Sequence, residues 1–184
     1  MNINKLREFA YNQHDIVCNQ KYNKTLPYSF HLNMVELQPF KFKHLLTDEE
    51  FYIVCCICIC HDLIEDARLT YNDIIALKLS YDPGSSKTVI DISKKVADGV
   101  FACTELRGRD RNERHGAEFF ELLRNERLGR FAKLCDNIAN VHFGILTNSS
   151  MVKKYAKEYN HLHDELYTEE FDEMFVYLKK LFTL

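Results

Sequence analysis

Ten residues from Phe51 to Cys60, FYIVCCICIC, hold no charge, no Gly and no Pro, and they stop on His61-Asp62-Leu63-Ile64-Glu65-Asp66. Thr47-Asp48-Glu49-Glu50 stands in front of them with the spacing of a capping box, in which a Thr hydroxyl and a Glu carboxylate each satisfy an orphan backbone N–H. The pattern predicts a helix from about residue 48 to 67, apolar on every side and therefore buried. A chain carrying such a helix must wrap other elements around it. Cys55, Cys56, Cys58 and Cys60 scatter round the helix axis, so they read as small buried hydrophobes and not as a zinc site.

Helical periodicity extends over most of the chain. It predicts helices at 2–19, 29–37, 70–79 behind a second cap (Thr70-Tyr71-Asn72-Asp73), 88–103, 117–146 and 168–183, with irregular stretches at 21–28, 81–87 and 104–116. Only six Gly and three Pro occur, too few for a turn-rich β fold. The expected architecture is one all-α domain spanning residues 1–184. At 46 % hydrophobic the chain can bury a core without disulfides. The 24 basic and 27 acidic residues give a net charge of −3, which argues against bulk binding to nucleic acid or an anionic membrane. No apolar run reaches the roughly 18–20 residues of a membrane span. The N-terminus MNINKLREFAYNQ lacks the apolar segment of a signal peptide. Seven cysteines without an export signal point to reduced thiols and a cytoplasmic location.

Four ionisable groups close the apolar helix: His61, Asp62, Glu65 and Asp66. By themselves they are either a solvated acidic helix end or one side of a divalent-metal site. Two further segments bear on that choice. His31 sits among Tyr28, Phe30, Leu32 and Met34, as a core histidine or a ligand. Asp136 lies in the apolar run from Phe131 to Val141, where an acid needs a partner, and Asn140 shares its helix face. In chain order the set is His31, His61, Asp62, Asp136. Two imidazoles and two carboxylates suit Mn²⁺, Fe²⁺, Zn²⁺ or a similar ion. Such an ion acidifies its water and offsets charge on a phosphoryl oxygen. Glu65 and Asp66 are then left to orient or deprotonate the attacking water.

That order resembles the HD-domain metal-dependent phosphohydrolases. Pro27-Tyr28-Ser29-Phe30-His31, His61-Asp62-Leu63-Ile64-Glu65-Asp66, Val96-Ala97-Asp98-Gly99-Val100 and Lys133-Leu134-Cys135-Asp136-Asn137-Ile138-Ala139-Asn140 look like the hydrolase domain of RelA/SpoT-type alarmone enzymes. The similarity covers about residues 15–145. It implies an HD-domain helical bundle that removes the 3′-pyrophosphate from (p)ppGpp with Mn²⁺, where Fe²⁺, Co²⁺ or Zn²⁺ would also suit the donors. Position by position, His31, His61, Asp62 and Asp136 match the metal ligands, and Glu65 and Asp66 match the catalytic acidic pair. Lys21, Asn137 and Asn140 fall near the nucleotide. The family's Arg and His in the last motif are Asn137 and Ala139 here, Ala67 replaces a Thr, and Leu32 replaces a Pro. A related nucleotide could therefore be the substrate, through an HD-type 5′-nucleotidase or other nucleotide phosphohydrolase, or the fold could hold a nucleotide without turnover. Nothing in the pattern specifies an oligomer.

Residues 104–116 hold Arg107, Arg109, Arg111 and Arg114, whose guanidinium forks either suit phosphate or are offset by Glu105, Asp110 and Glu113 in a solvated loop. Arg111 and Arg114 are the best placed to bind substrate, being nearest the next helix. Gly84-Ser85-Ser86-Lys87-Thr88 lacks the glycines that a phosphate-binding loop needs. His161 and His163 are two apart and do not share a helix face.

Overall fold

The two capping boxes form as spaced. Thr47 Oγ1 accepts from the Glu50 N–H while Glu50 Oε2 accepts from the Thr47 N–H, and Thr70 and Asp73 repeat the exchange. The computed structural model describes residues 1–84, 88–105 and 108–184, the side chain of Asn112 apart. Arg107 and the Ser85–Lys87 part of the rejected phosphate loop lie outside the described residues.

Helix α1 (Ile3–Tyr11) continues through a wide π-helical turn, Asn12–Val17. A small antiparallel hairpin, β1 (Lys21–Tyr22) and β2 (Leu26–Pro27), leads into α2 (Tyr28–Lys41). Then come α3 (Asp48–Cys60), α4 (Tyr71–Ala76), a second hairpin of β3 (Ser80–Tyr81) and β4 (Ile90–Asp91), and α5 (Ser93–Cys103). The short α6 (Arg111–Arg114) precedes α7 (Ala117–Asn125), α8 (Arg127–Leu146), α9 (Met151–Leu166) and α10 (Asp172–Leu181). With 69 % helix and 4 % strand, the fold is all-α.

Helix α3 is central and buried without a gap from Ile53 to Cys60, its four thiols included. Helices α2, α5 and α8 surround it, and α8 touches all three. Glycines allow the close approach: a Cβ on Gly99 of α5 would lie 2.3 Å from Ile57 Cδ1, and one on Gly129 of α8 would lie 2.9 Å from the Gly99 carbonyl. At the N-terminal side, buried Glu36 of α2 is held by the Arg7 guanidinium of α1 through both carboxylate oxygens. No described helix is long and apolar enough to cross a membrane.

Several boundaries differ from the periodicity, each for a local reason. Helix α3 ends at Cys60, not near 67, because His61 turns back to its last carbonyls and the chain runs on in turns to Asp66. Extended backbone at Glu126 divides 117–146 into α7 and α8. The segment 88–92 is strand and turn, with Asp91 Oδ1 accepting from the Ser93 N–H where α5 begins. Helix α2 runs beyond residue 37 and carries Pro39 in its last turn. Helix α9 lies outside the predicted spans although Tyr155, Tyr159, Leu162 and Leu166 recur on one face at spacings of three and four and pack on the core.

Candidate metal centre and its cavity

The end of α3 sets the first ligand. A helix leaves its last four carbonyls without intrahelical partners. His61 Nδ1 lies 2.9 Å from one of them, the Cys58 oxygen. A carbonyl oxygen can only accept, so Nδ1 carries the hydrogen, and in the neutral ring the Nε2 lone pair faces the site. The Leu63 N–H takes the Cys60 carbonyl at 2.9 Å, which turns the chain and brings Asp62 beside His61.

Helices α2 and α8 and the turn after α3 supply the remaining donors. His31, one turn into α2, places Nε2 3.3 Å from His61 Nε2, 3.6 Å from Asp62 Oδ2 and 3.4 Å from Asp136 Oδ1. His61 Nε2 is 2.9 Å from Asp62 Oδ2 and 3.8 Å from Asp136 Oδ1. Thus, of the four sequence candidates for metal ligation, each carboxylate lies beside both imidazoles. Both imidazoles are buried, and His31 Nδ1 has no hydrogen-bond partner among the described residues. The nitrogens and carboxylate oxygens of His31, His61 and Asp62 are close enough to share one ion.

The electrostatics of the metal-free centre follow from this crowding. Burial opposes a charge on His31, but the Asp136 and Asp62 carboxylates outweigh it and lift the ring to about 9. His61 moves up for the same reason, chiefly through Asp62. Burial also opposes charge on Asp62 and Asp136, yet the imidazoles and, at Asp136, Lys133 hold both well below the usual carboxylate range. The two carboxylates stay charged because protonated imidazoles and Lys133 balance them, a balance that a cation would take over from the imidazoles. A divalent cation fits the donor set: two nitrogens and two carboxylate oxygens, with one imidazole tautomer fixed from outside.

Outer groups hold the donors in place. Tyr28 donates to Asp62 Oδ2 at 2.5 Å. Asn140 Nδ2 donates to Asp136 Oδ1 at 2.6 Å, and Tyr22 in turn donates to Asn140 Oδ1 at 2.9 Å. The Tyr22 ring stacks on His31, with centroids 4.8 Å apart. The π-helical turn carries His14 inward, where it stacks on Tyr28 and bonds Gln20 Oε1 at 2.7 Å, while Gln20 Nε2 donates to Asp66 Oδ2 at 2.7 Å.

These groups open into a cavity of about 400 Å³. Glu65 and Asp66 lie on its wall. Glu65 keeps solvent contact, but the surrounding wall strips hydration from it and Asp62 adds negative charge. Its carboxyl is pushed up to about 7, although the Glu105 N–H (3.1 Å) and Lys133 act the other way. Lys133 is deeply buried beside Asp136, with Nζ 3.5 Å from Oδ2. Burial opposes its charge, yet Asp136 holds it protonated.

The sequence-predicted substrate residues divide. Asn137, Asn140 and Arg111 line the cavity. Lys21 does not; it is exposed on β1, where alternation along the strand turns Tyr22 inward and Lys21 outward. Arg114 also lies off the wall, bound through Nε to Glu105 Oε2 at 2.6 Å. Arg111 pairs with Glu105 and Glu158. The sequence assigned no site role to Lys133, Tyr22, Glu105 and Tyr155, all on the wall. Lys133 had a signal, since i and i+3 share a helix face with Asp136, and so had Glu105, which lies in the loop of the arginines it pairs with; Tyr22 and Tyr155 come from segments distant in sequence and had none. His161 and His163 form no common site: His161 faces the cavity while His163 stacks on Tyr167. Compared with known proteins, the chain matches no family model, and no curated protein matches it.

Proposed function

We propose that this chain is a divalent-metal-dependent phosphohydrolase acting on a nucleotide. The observation that carries the reading is the clustering of His31, His61 and Asp62, with Asp136 beside both imidazoles, at the wall of a cavity that also holds Glu65 and Asp66. His31 Nε2, His61 Nε2, Asp62 Oδ2 and Asp136 Oδ1 would hold the ion. A bound cation there supplies an acidified water and offsets charge on phosphoryl oxygens. Among Mn²⁺, Fe²⁺, Co²⁺ and Zn²⁺ the mixed nitrogen and oxygen donors favour no single one, and Mn²⁺ rests on the family resemblance.

The chain's own residues then divide the work. Glu65 accepts a proton from the attacking water, a role that suits a carboxyl near neutrality. Asp66, held by Gln20, orients that water. Tyr28 and Asn140 keep the two carboxylates aimed inward. The likeness to RelA/SpoT-type hydrolase domains supports (p)ppGpp as a substrate, with loss of its 3′-pyrophosphate. The test is incubation with Mn²⁺ and ppGpp, GMP, dGMP and ATP in parallel, with products separated by anion exchange. Metal-dependent release of phosphate or pyrophosphate from any of them is expected. Absence of turnover by the metal-loaded protein on all four would overturn the proposal.

A further inference from the structure

The cavity wall carries six carboxylates: Asp62, Glu65, Asp66, Glu105, Asp136 and Glu158. Among the described residues, its Lys and Arg side chains are Lys133 and Arg111, and neither is free. Lys133 Nζ is 3.5 Å from Asp136 Oδ2, and Arg111 reaches Glu105 at 3.4 Å and Glu158 at 3.2 Å. Glu105 is further shared with Arg114 and His115, both at 2.6 Å. One divalent ion added to Lys133 and Arg111 still leaves the wall negative. Polyphosphates are recognised by free guanidinium and ammonium groups, and this wall offers fewer of them than carboxylates. The same cavity is also walled by Phe119, Phe120, Tyr155 and Phe182, a surface suited to a flat ring.

We infer that the cavity selects a phosphate monoester of low charge bearing a flat ring, such as a nucleoside monophosphate, over a nucleotide carrying two or more diphosphate groups. The inference rests on the phosphohydrolase reading and narrows its substrate away from (p)ppGpp. The reaction is one hydrolysis. The bond from water oxygen to phosphorus forms as the bond from phosphorus to the ester oxygen breaks. One water proton passes to Glu65, the leaving oxygen takes a proton from solvent, and orthophosphate and a free alcohol result. The Glu158–Arg111 pair is part of the selection, because Glu158 occupies a guanidinium that a longer phosphate chain would need.

Two measurements on the full chain with Mn²⁺ test this. The first compares kcat/KM for the four nucleoside 5′-monophosphates, ATP and ppGpp, and identifies the product as orthophosphate or pyrophosphate. The second measures Kd for the same nucleotides by calorimetry on the Glu65→Gln protein, where turnover does not intervene. At least a tenfold preference for a monophosphate in both, with orthophosphate released, is expected. In Glu158→Gln, the KM for ppGpp should fall several-fold relative to that for the monophosphate, a substrate-specific shift that a general loss of structure does not produce. Tighter binding and faster cleavage of ppGpp, with pyrophosphate released, would overturn the inference and leave the phosphohydrolase reading standing. Tight nucleotide binding without turnover of any substrate would overturn the phosphohydrolase reading, and with it the hydrolytic part of the inference.

Discussion

Tyr28, the first residue of α2, donates its hydroxyl hydrogen to Asp62 Oδ2 at 2.5 Å, and that oxygen is also 2.9 Å from His61 Nε2. One side chain therefore ties the start of α2 to the turn after α3 and aims a carboxylate at the candidate centre. Burial and the facing Asp62 push the Tyr28 hydroxyl up, so it stays protonated and remains a donor. Tyr28→Phe keeps the ring that stacks on His14 and removes only the donor. Outer-shell partners of this kind change metal affinity by roughly 10–100-fold. Titration of Mn²⁺ should show a loss of at least about tenfold, with thermal stability little changed.

Asp62 and Glu65 separate binding from chemistry. Asp62→Ala removes the oxygen nearest His61 Nε2, and both metal binding and turnover should be lost. Glu65→Ala leaves all four donors in place and should retain the metal while turnover falls by roughly 10²–10⁴-fold. Calorimetry with Mn²⁺ beside a phosphate-release assay reads both variants. A Glu65→Ala protein that turns over normally would remove Glu65 from its proposed role.

Two carboxyls on the cavity wall shift in opposite directions, and their stability effects have opposite signs. Crowding lifts Glu65 to about 7 from 4.5, so the folded chain holds this proton more tightly than the unfolded chain does. That contribution is complete below about pH 4.5 and is lost as pH rises through about 7. For Glu105, burial raises the carboxyl, but His115 and Arg114 outweigh it and hold it at about 2. Its contribution is present above about pH 4.5 and is lost as pH falls towards about 2. In thermal melts of metal-free protein, Glu65→Gln should reduce the loss on the neutral side, where the lifted imidazoles also contribute. Glu105→Gln should reduce that on the acid side, where Asp62 and Asp136 also contribute.

Of the glycines, Gly99 leaves the least room for a side chain. A methyl group there meets Ile57 Cδ1 at 2.3 Å, so Ile57 or α5 must move. Overpacking of this kind destabilises by roughly 1–3 kcal/mol. Gly99→Ala should lower the denaturation midpoint accordingly. Because α3 carries the turn that holds His61 and Asp62, metal affinity should weaken with it.

Much of the site can be read from the chain because helix geometry is local. Capping boxes at Thr47 and Thr70, the apolar run to Cys60, and the face shared by Asp136 and Asn140 need only spacing of three or four residues. The helix ends were less legible. Whether α3 continued to 67 or stopped at Cys60 depended on His61 folding back to Cys58, and on which groups lay beyond it. The roles of Arg111 and Arg114 were partly hidden for a related reason. Four arginines in one loop suggest phosphate, and Glu105 in the same loop was a visible counter-charge, but Glu158, which also occupies Arg111, comes from a helix 47 residues away.

The sequence by itself determined that the chain is helical, that α3 is buried, and which two imidazoles and two carboxylates could act together. These follow from periodicity, capping and the free energy of placing charge among apolar residues. Only the tertiary structure decided that Asp62 and Asp136 each come within 3.8 Å of the Nε2 atoms of both His31 and His61, that Tyr28 and Asn140 aim the carboxylates, and that the cavity above them is richer in acids than in free cations. Such distances join α2, the end of α3 and α8, and they depend on helices brought together by Gly99 and Gly129, a closeness that local spacing does not encode.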